Sequence, residues 1–171
     1  MIKLADERIQ EWAMAKWDVG NIFRIDLDPD RHCYCQVAYS PLILFFAGTN
    51  REEIALDDIP VLPVAFKLWT MKYALTNGGW RYLGNRGLAP GNAVEPYFFK
   101  QDRFSGRLAL HHSAFQATNY ERPATLSECE GLECAAVWDP AHIEDRLRDL
   151  ADGRPNKWVD SLAIAPAKVP S

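Results

Sequence analysis

The sequence predicts an α+β fold: an antiparallel, strongly curved sheet, partly barrel-like, with an N-terminal helix and a late amphipathic helix. Three observations point to it. Six to eight short segments alternate apolar and polar residues or run wholly apolar, against only two or three helical stretches. The strands come first and the main helix late, so the βαβ alternation of a parallel sheet is missing. The chain has 171 residues, 48% of them apolar, which suits one core. We read a single domain over 1–171, its core at about 20–164 and a frayed tail at 165–171.

Residues 4–16 (LADERIQEWAMAK) set Ile9, Trp12, Ala13 and Lys16 at helical spacing, with Asp6 as a cap. GNIFRIDL, from Gly20 to Leu27, puts Phe23, Ile25 and Leu27 on one side of a half-buried strand. DPDR is turn chemistry, and HCYCQVAYS (32–40) alternates again, so the pair reads as a hairpin. LILFFAG (42–48) is apolar throughout and belongs mid-sheet. Residues 49–63 form a charged connection with a helical turn at EEIALDDIP, ended by Pro60 and Pro63. AFKLWTMKYAL (65–75) reads as a strand, and TNGGW as the turn that returns it to a partner at WRYLGN (80–85).

GLAPGNAVEP is a loop. YFFKQ (97–101) and RLALHH (107–112) flank DRFSG as a second hairpin, and 113–124 reads as polar loop. TLSECEGL starts a short helix capped by Thr125 or Ser127, with Glu128 or Glu130 closing a capping box. CAAVW (134–138) is a short buried strand, and NKWVDSLAI (156–164) a terminal strand or turn.

The most charged stretch, AVWDPAHIEDRL (136–147), is a helix start. Asp139 can accept from the free first-turn amides, and Pro140 fits the first helical position. Ile143, Leu147, Leu150 and Ala151 share an apolar face, and Gly153 and Pro155 end the helix. Its histidine and carboxylates belong to a solvated face. No catalytic cluster is needed to explain them.

Chemistry-bearing motifs are absent elsewhere. There is no G-x-S-x-G, P-loop, G-x-G-x-x-G or H-E-x-x-H, so we assign no catalytic residue and no cofactor. His111 and His112, adjacent on a strand, point to opposite faces, a poor arrangement for one metal. The cysteines fall at Cys33, Cys35, Cys129 and Cys134, in spacings unlike common zinc sites; we read them as buried thiols and assign no metal. No apolar run approaches the ~20 residues of a membrane span, and the first residues do not read as a secretory signal. A soluble, cytoplasmic protein is the expectation.

Charge carries the clearest functional hint. Residues 1–119 hold 13 basic and 13 acidic side chains, while residues 120–152 hold three basic and nine acidic, a local excess of −6. Such a zone repels nucleic acid and attracts basic partners. Glu128, Glu130, Glu133, Glu144, Asp145 and Asp149 are the candidate partner-binding residues, with the helical three expected on the exposed face. A competing module reading rests on FKLWTMKY and WRYLGNR, where cations interleave with aromatics as they do in binders of single-stranded nucleic acid or of ligands.

A resemblance then narrows the choice. GNIFRIDLDPDRHCYCQV, KLWTMKYALTNGGWRYLGN, FFKQD, ERPATLSECEGLECAAVWDPAHIEDRL and NKWVDSL, in that order from about Gly20 to Leu162, resemble the immunity protein 26 family of bacterial polymorphic toxin and contact-dependent inhibition systems. The resemblance implies a small cytoplasmic protein encoded beside a secreted toxin. It would neutralise that toxin by direct, non-enzymatic binding. Many such toxins are nucleases, whose basic surfaces an acidic inhibitor would suit. The family pattern transfers no contact residue, and the oligomeric state is left open.

Overall fold

The computed structural model describes residues 16–77, 79–112 and 120–166. The helix expected at 4–16 lies outside them apart from Lys16, as does the tail beyond 166. Among the described residues ten strands form: β1 (Asn21–Asp28), β2 (Arg31–Tyr39), β3 (Leu42–Phe46), β4 (Val64–Thr70), β5 (Arg81–Asn85), β6 (Phe98–Gln101), β7 (Leu108–His112), β8 (Tyr120–Ala124), β9 (Glu133–Cys134) and β10 (Val137–Trp138). Among the described residues three α-helices follow β8: α1 (Leu126–Cys129), α2 (Pro140–Ala151) and α3 (Lys157–Ser161).

The α+β class holds, but the expected single curved sheet is two open sheets. The larger runs β10-β4-β3-β2-β1-β5 and the smaller β8-β7-β6-β9. β1 to β4 form an antiparallel meander, with the first hairpin closing at Asp28 and Arg31 as expected. β6 and β7 pair as the second hairpin.

β2 and β3 sit mid-sheet, and the chain is buried from His32 to Ala38 and from Leu42 to Phe46. Each face has its own cover. One face presents Phe23, Ile25, Cys33, Cys35, Val37, Ile43, Phe45 and Leu68 to Trp138, Ile143 and Leu147, with Trp158, Val159 and Leu162 packed alongside. The other presents Ile22, Tyr34, Leu42, Leu44 and Phe46 to Ile59, Trp69 and Phe98. Ile59 comes from a 3₁₀ turn at Leu56–Val61, the helical turn expected there. Phe98 comes from the small sheet, its ring 4.3 Å from that of Trp69.

Two polar side chains caught between these covers find donors or acceptors inside the protein. Gln36 donates to the carbonyls of Arg86 and Gly20 at 2.8 and 3.2 Å. Gly20 has φ +90°, and a Cβ there would lie 2.3 Å from the Arg86 carbonyl oxygen, so only glycine fits. The Tyr34 hydroxyl accepts from the Ile54 amide at 2.9 Å and shares a hydrogen bond with His32 Nε2, also at 2.9 Å. Burial holds the His32 pKa below the ordinary imidazole range.

Four local expectations fail for identifiable reasons. β5 does not return to β4; a 3₁₀ turn at Lys72–Leu75 buries Ala74 and Leu75 and carries the chain to the far edge, where β5 pairs with β1. Residues 120–124 form β8 despite Pro123, because β8 is an edge strand and a missing amide on its open side breaks no ladder bond. CAAVW divides: β9 joins β6 in the small sheet and β10 joins β4 in the large one, both parallel, so the chain changes sheets across Ala135 and Ala136. NKWVDSLAI forms α3, because Asn156 accepts from the Trp158 and Val159 amides as an N-cap.

Other signals hold. Thr125 and Glu128 make the reciprocal capping box of α1. Asp139 accepts from the Ala141 amide at 2.8 Å, with Pro140 opening α2. Ile143 and Leu147 are buried, but Leu150 is 52% exposed, so the apolar face of α2 is narrower than expected.

Two outcomes follow. Trp138 is 4% exposed between β4 and α2, so Trp138→Ala should cost on the order of 3–5 kcal/mol in denaturant titration. For His32, the unfolded chain takes up a proton near pH ~6.5, before the folded chain does. Stability should therefore be full above that pH and fall as pH drops through the lower folded pKa. His32→Gln should remove this part of the acid loss, read as the difference between the two proteins' stabilities from pH ~7 to ~5.

Candidate partner-binding surface

The six carboxylates singled out by charge lie on α1, α2 and the chain between them, and five of them turn inward to partners. Glu128 accepts from the Thr125 amide at 2.8 Å and pairs with Arg122 at 2.6 Å, which together hold its carboxyl down at about 2. Glu133 takes two bonds from Arg146, at 2.6 and 3.0 Å, and that guanidinium lies 3.9 Å over the Phe66 ring. Glu144 accepts from the Trp80 indole at 3.0 Å. Asp145 accepts from the Trp158 indole at 3.1 Å and from Arg148 at 3.2 Å. Asp149 accepts from Asn156 at 2.9 Å and from Arg154, and these bonds lower its pKa. Glu130 alone of the six is exposed with no side-chain partner among the described residues.

The helical three are therefore half-buried, and the expected free acidic face is not what α2 presents. Its carboxylates are structural acceptors. Arg148 also donates to the Leu27 carbonyl at 2.8 Å, so Glu144, Asp145 and Arg148 together fasten α2 to β1, Trp80 and α3. Charge counting along the sequence missed this because two acceptors of tryptophan N–H groups look identical to solvated acids. Cations from outside the stretch, Arg31 on Asp152 and Lys100 on Glu121, reduce the acidic excess further.

The residues behind the competing module reading divide: Tyr73 and Tyr82 stay exposed, while others are buried or paired within the fold. Trp69 and Trp80 are buried. Lys67 donates to the carbonyls of Asn92 and Val94 at 3.0 and 2.9 Å, while Arg81 pairs with Glu53 and Arg86 with Asp57.

Histidines and cysteines are dispersed. His111 is buried against the edge of Trp69 with its Nδ1 3.0 Å from Glu121, while His112 faces the other way and packs on Tyr97. His142 stacks on Trp158 at 3.4 Å. Cys33 and Cys35 share the same core face of β2, where burial pushes the Cys33 thiol up to about 12 and raises Cys35 as well. Among the described residues no group of three or more His, Cys, Asp or Glu is placed to hold a metal ion. No described helix is long and apolar enough to cross a membrane.

What sequence reading passed over is the β6–β7 turn, taken only as a connector. Phe104 there is 94% exposed. Beside it, a groove of about 480 Å³ runs over the small sheet, lined by Lys100, Arg107, Ala109, Glu121, Arg122 and Pro123. A second groove, about 330 Å³ and largely apolar, lies between α1 and α3, with Glu130 at its rim.

Residues 18–109 match the family model for immunity protein 26. The match covers more than half of the chain and ends within β7, so α1 and α2 with their carboxylates lie beyond it. No curated protein and no solved structure matches the chain.

The bonds to Trp80, Trp158 and Asn156 give a direct check on this account of α2. Reversing Glu144, Asp145 and Asp149 together to Lys should cost about 2–4 kcal/mol, since each reversal leaves a half-buried donor unmatched. Thermal melting should then drop by roughly 5–15 °C. An unchanged midpoint would return these carboxylates to a solvated face.

Proposed function

The chain belongs to the immunity protein 26 family, and we propose on that premise that it binds a cognate bacterial toxin directly and silences it without chemistry of its own. The family match over residues 18–109 carries this reading. It takes in the first five strands of the large sheet and the β6–β7 turn. The physical character of the fold supports it. An inhibitor that works by occupying a surface gains most from a face already held in its bound shape, since little ordering entropy is then lost on association. Two central strands covered on both sides supply that rigidity.

We assign the toxin a basic face, such as a nuclease would carry, and this protein a place in the cytoplasm where such a toxin would act. The acidic side that would steer the encounter centres on Glu130, the member of the six free to meet a cation; Glu128, Glu133, Glu144, Asp145 and Asp149 contribute through the local field.

The test is co-expression with the toxin-like product encoded beside this chain, followed by calorimetry of the purified pair using an inactivated toxin. Rescue of growth and a stoichiometric complex are expected; toxicity that persists with no complex would sink the reading. Glu130→Lys breaks no internal bond, so it should leave melting unchanged and slow association several-fold at low salt. The deficit should vanish as the Debye length falls from ~10 Å at 0.1 M to ~3 Å at 1 M.

A further inference from the structure

The β6–β7 turn, DRFSG closed by Arg107, is built more firmly than a connector needs. Asp102 Oδ1 accepts from the Phe104 amide, the Ser105 amide and the Ser105 hydroxyl at 3.0, 2.6 and 2.8 Å. The Asp102 amide donates to the Arg107 carbonyl and the Gly106 amide to the Asp102 carbonyl, each at 2.9 Å. Gln101 donates to the Gly106 carbonyl at 3.3 Å and to the Ala165 carbonyl at 3.1 Å, and accepts from the Ala165 amide. Gly106, at φ +71°, completes the turn. None of these bonds uses the side chain of residue 104. The position nonetheless holds phenylalanine, the most exposed large apolar side chain among the described residues.

Its neighbours are equally unusual for this protein. Of the eleven described arginines, Arg24, Arg31, Arg81, Arg86, Arg122, Arg146, Arg148 and Arg154 all stand in ion pairs. Two of the remaining three, Arg103 and Arg107, flank Phe104 on the turn, and both residues are exposed. Eight guanidiniums elsewhere sit in ion pairs with the fold's own carboxylates; these two flank an apolar ring outside any such pair, with Arg107 acting on Asp102 only through its field.

We propose that this turn is the anchor by which the protein grips its toxin: Phe104 enters an apolar pocket on the toxin, and Arg103 and Arg107 meet carboxylates at the pocket's mouth. The proposal rests on the toxin-binding reading above and adds to it the anchoring surface and the partner's chemistry. Aromatic and arginine side chains dominate the energetic centres of interfaces. A turn already locked in place loses little entropy when it docks. The carboxylate-lined pocket is a local feature and is compatible with a basic surface elsewhere on the toxin. A protein partner is favoured over single-stranded nucleic acid by the neighbouring groove. There Lys100 is paired with Glu121 and Arg122 with Glu128, so no continuous cationic track leads away from the ring.

The experiment compares the wild-type chain with F104A, F104Y and R103E/R107E. The readouts are Kd and association rate for the inactivated toxin, melting, mass in solution by light scattering, and binding of a fluorescent oligo-dT. Wild type should bind the toxin. F104A should weaken binding at least about 30-fold, mostly through faster dissociation, and F104Y should restore most of it. R103E/R107E should slow association at low salt. F104A and F104Y should melt as wild type does, since the ring supports nothing in the fold, and R103E/R107E should lose only the small contribution of the Arg107 field on Asp102. If wild type fails to bind the toxin, the toxin-binding reading falls and this one with it. If wild type binds and F104A binds equally well, the anchor alone is wrong. Oligo-dT binding lost in F104A, or self-association lost in F104A with toxin affinity intact, would each overturn the proposal, in favour of nucleic acid or of a second copy respectively.

Discussion

Strands β2 and β3 are covered on both sides, and a polar group on a strand so placed is cut off from water and gains from a partner inside the fold. Much of the surrounding architecture answers that demand. Gln36 is met by two carbonyls that converge because β1 and the segment after β5 approach at Gly20. His32 is met by Tyr34, whose hydroxyl also fixes the Ile54 amide and so the entry to the 3₁₀ turn that closes one face. The opposite face is closed by α2 and α3, which are fastened through Glu144, Asp145 and Arg148. Carboxylates that look like surface decoration are thus part of how the central strands stay dry.

This division of labour bears on recognition. The matched region, residues 18–109, contains the interior strands and the β6–β7 turn, whereas the lid of α1, α2 and α3 lies past it. Side chains that hold a lid cannot be freely exchanged for partner contacts without loosening the core beneath. A turn whose backbone is held by Asp102, Ser105 and Gln101 has no such restriction, because its outward side chains carry none of the load.

Sequence reading recovered the elements whose signal is local. Alternation gave β1, β2 and both hairpins; apolar continuity gave β3; and caps at Thr125 and Asp139 gave α1 and α2. It failed where the deciding partner is distant. Nothing in WRYLGN says that β5 will cross to β1, since the crossover depends on burying Ala74 and Leu75. Nothing in CAAVW says that its first residue serves one sheet and its last two the other. Asn156 was a legible N-cap, passed over because KWVDS is short and rich in strand-forming residues. The charge count failed most instructively: Glu144 and Asp145 register as negative in any tally, yet their oxygens are occupied by indole N–H groups. Phe104 was visible in the sequence, but its exposure was not.

The change of sheets at Ala135 and Ala136 has a consequence for how the molecule comes into being. A ribosome delivers β1 to β8 before β9, β10 and α2 exist. Through that interval Phe66 and Leu68 on β4 wait without the cover that Trp138 and Ile143 later provide. Both sheets gain their last strand from one six-residue passage of chain, Glu133 to Trp138. Completion of both sheets therefore waits on the same late passage of chain. A nascent chain halted short of it would expose an aromatic surface that chaperones bind and proteases remove.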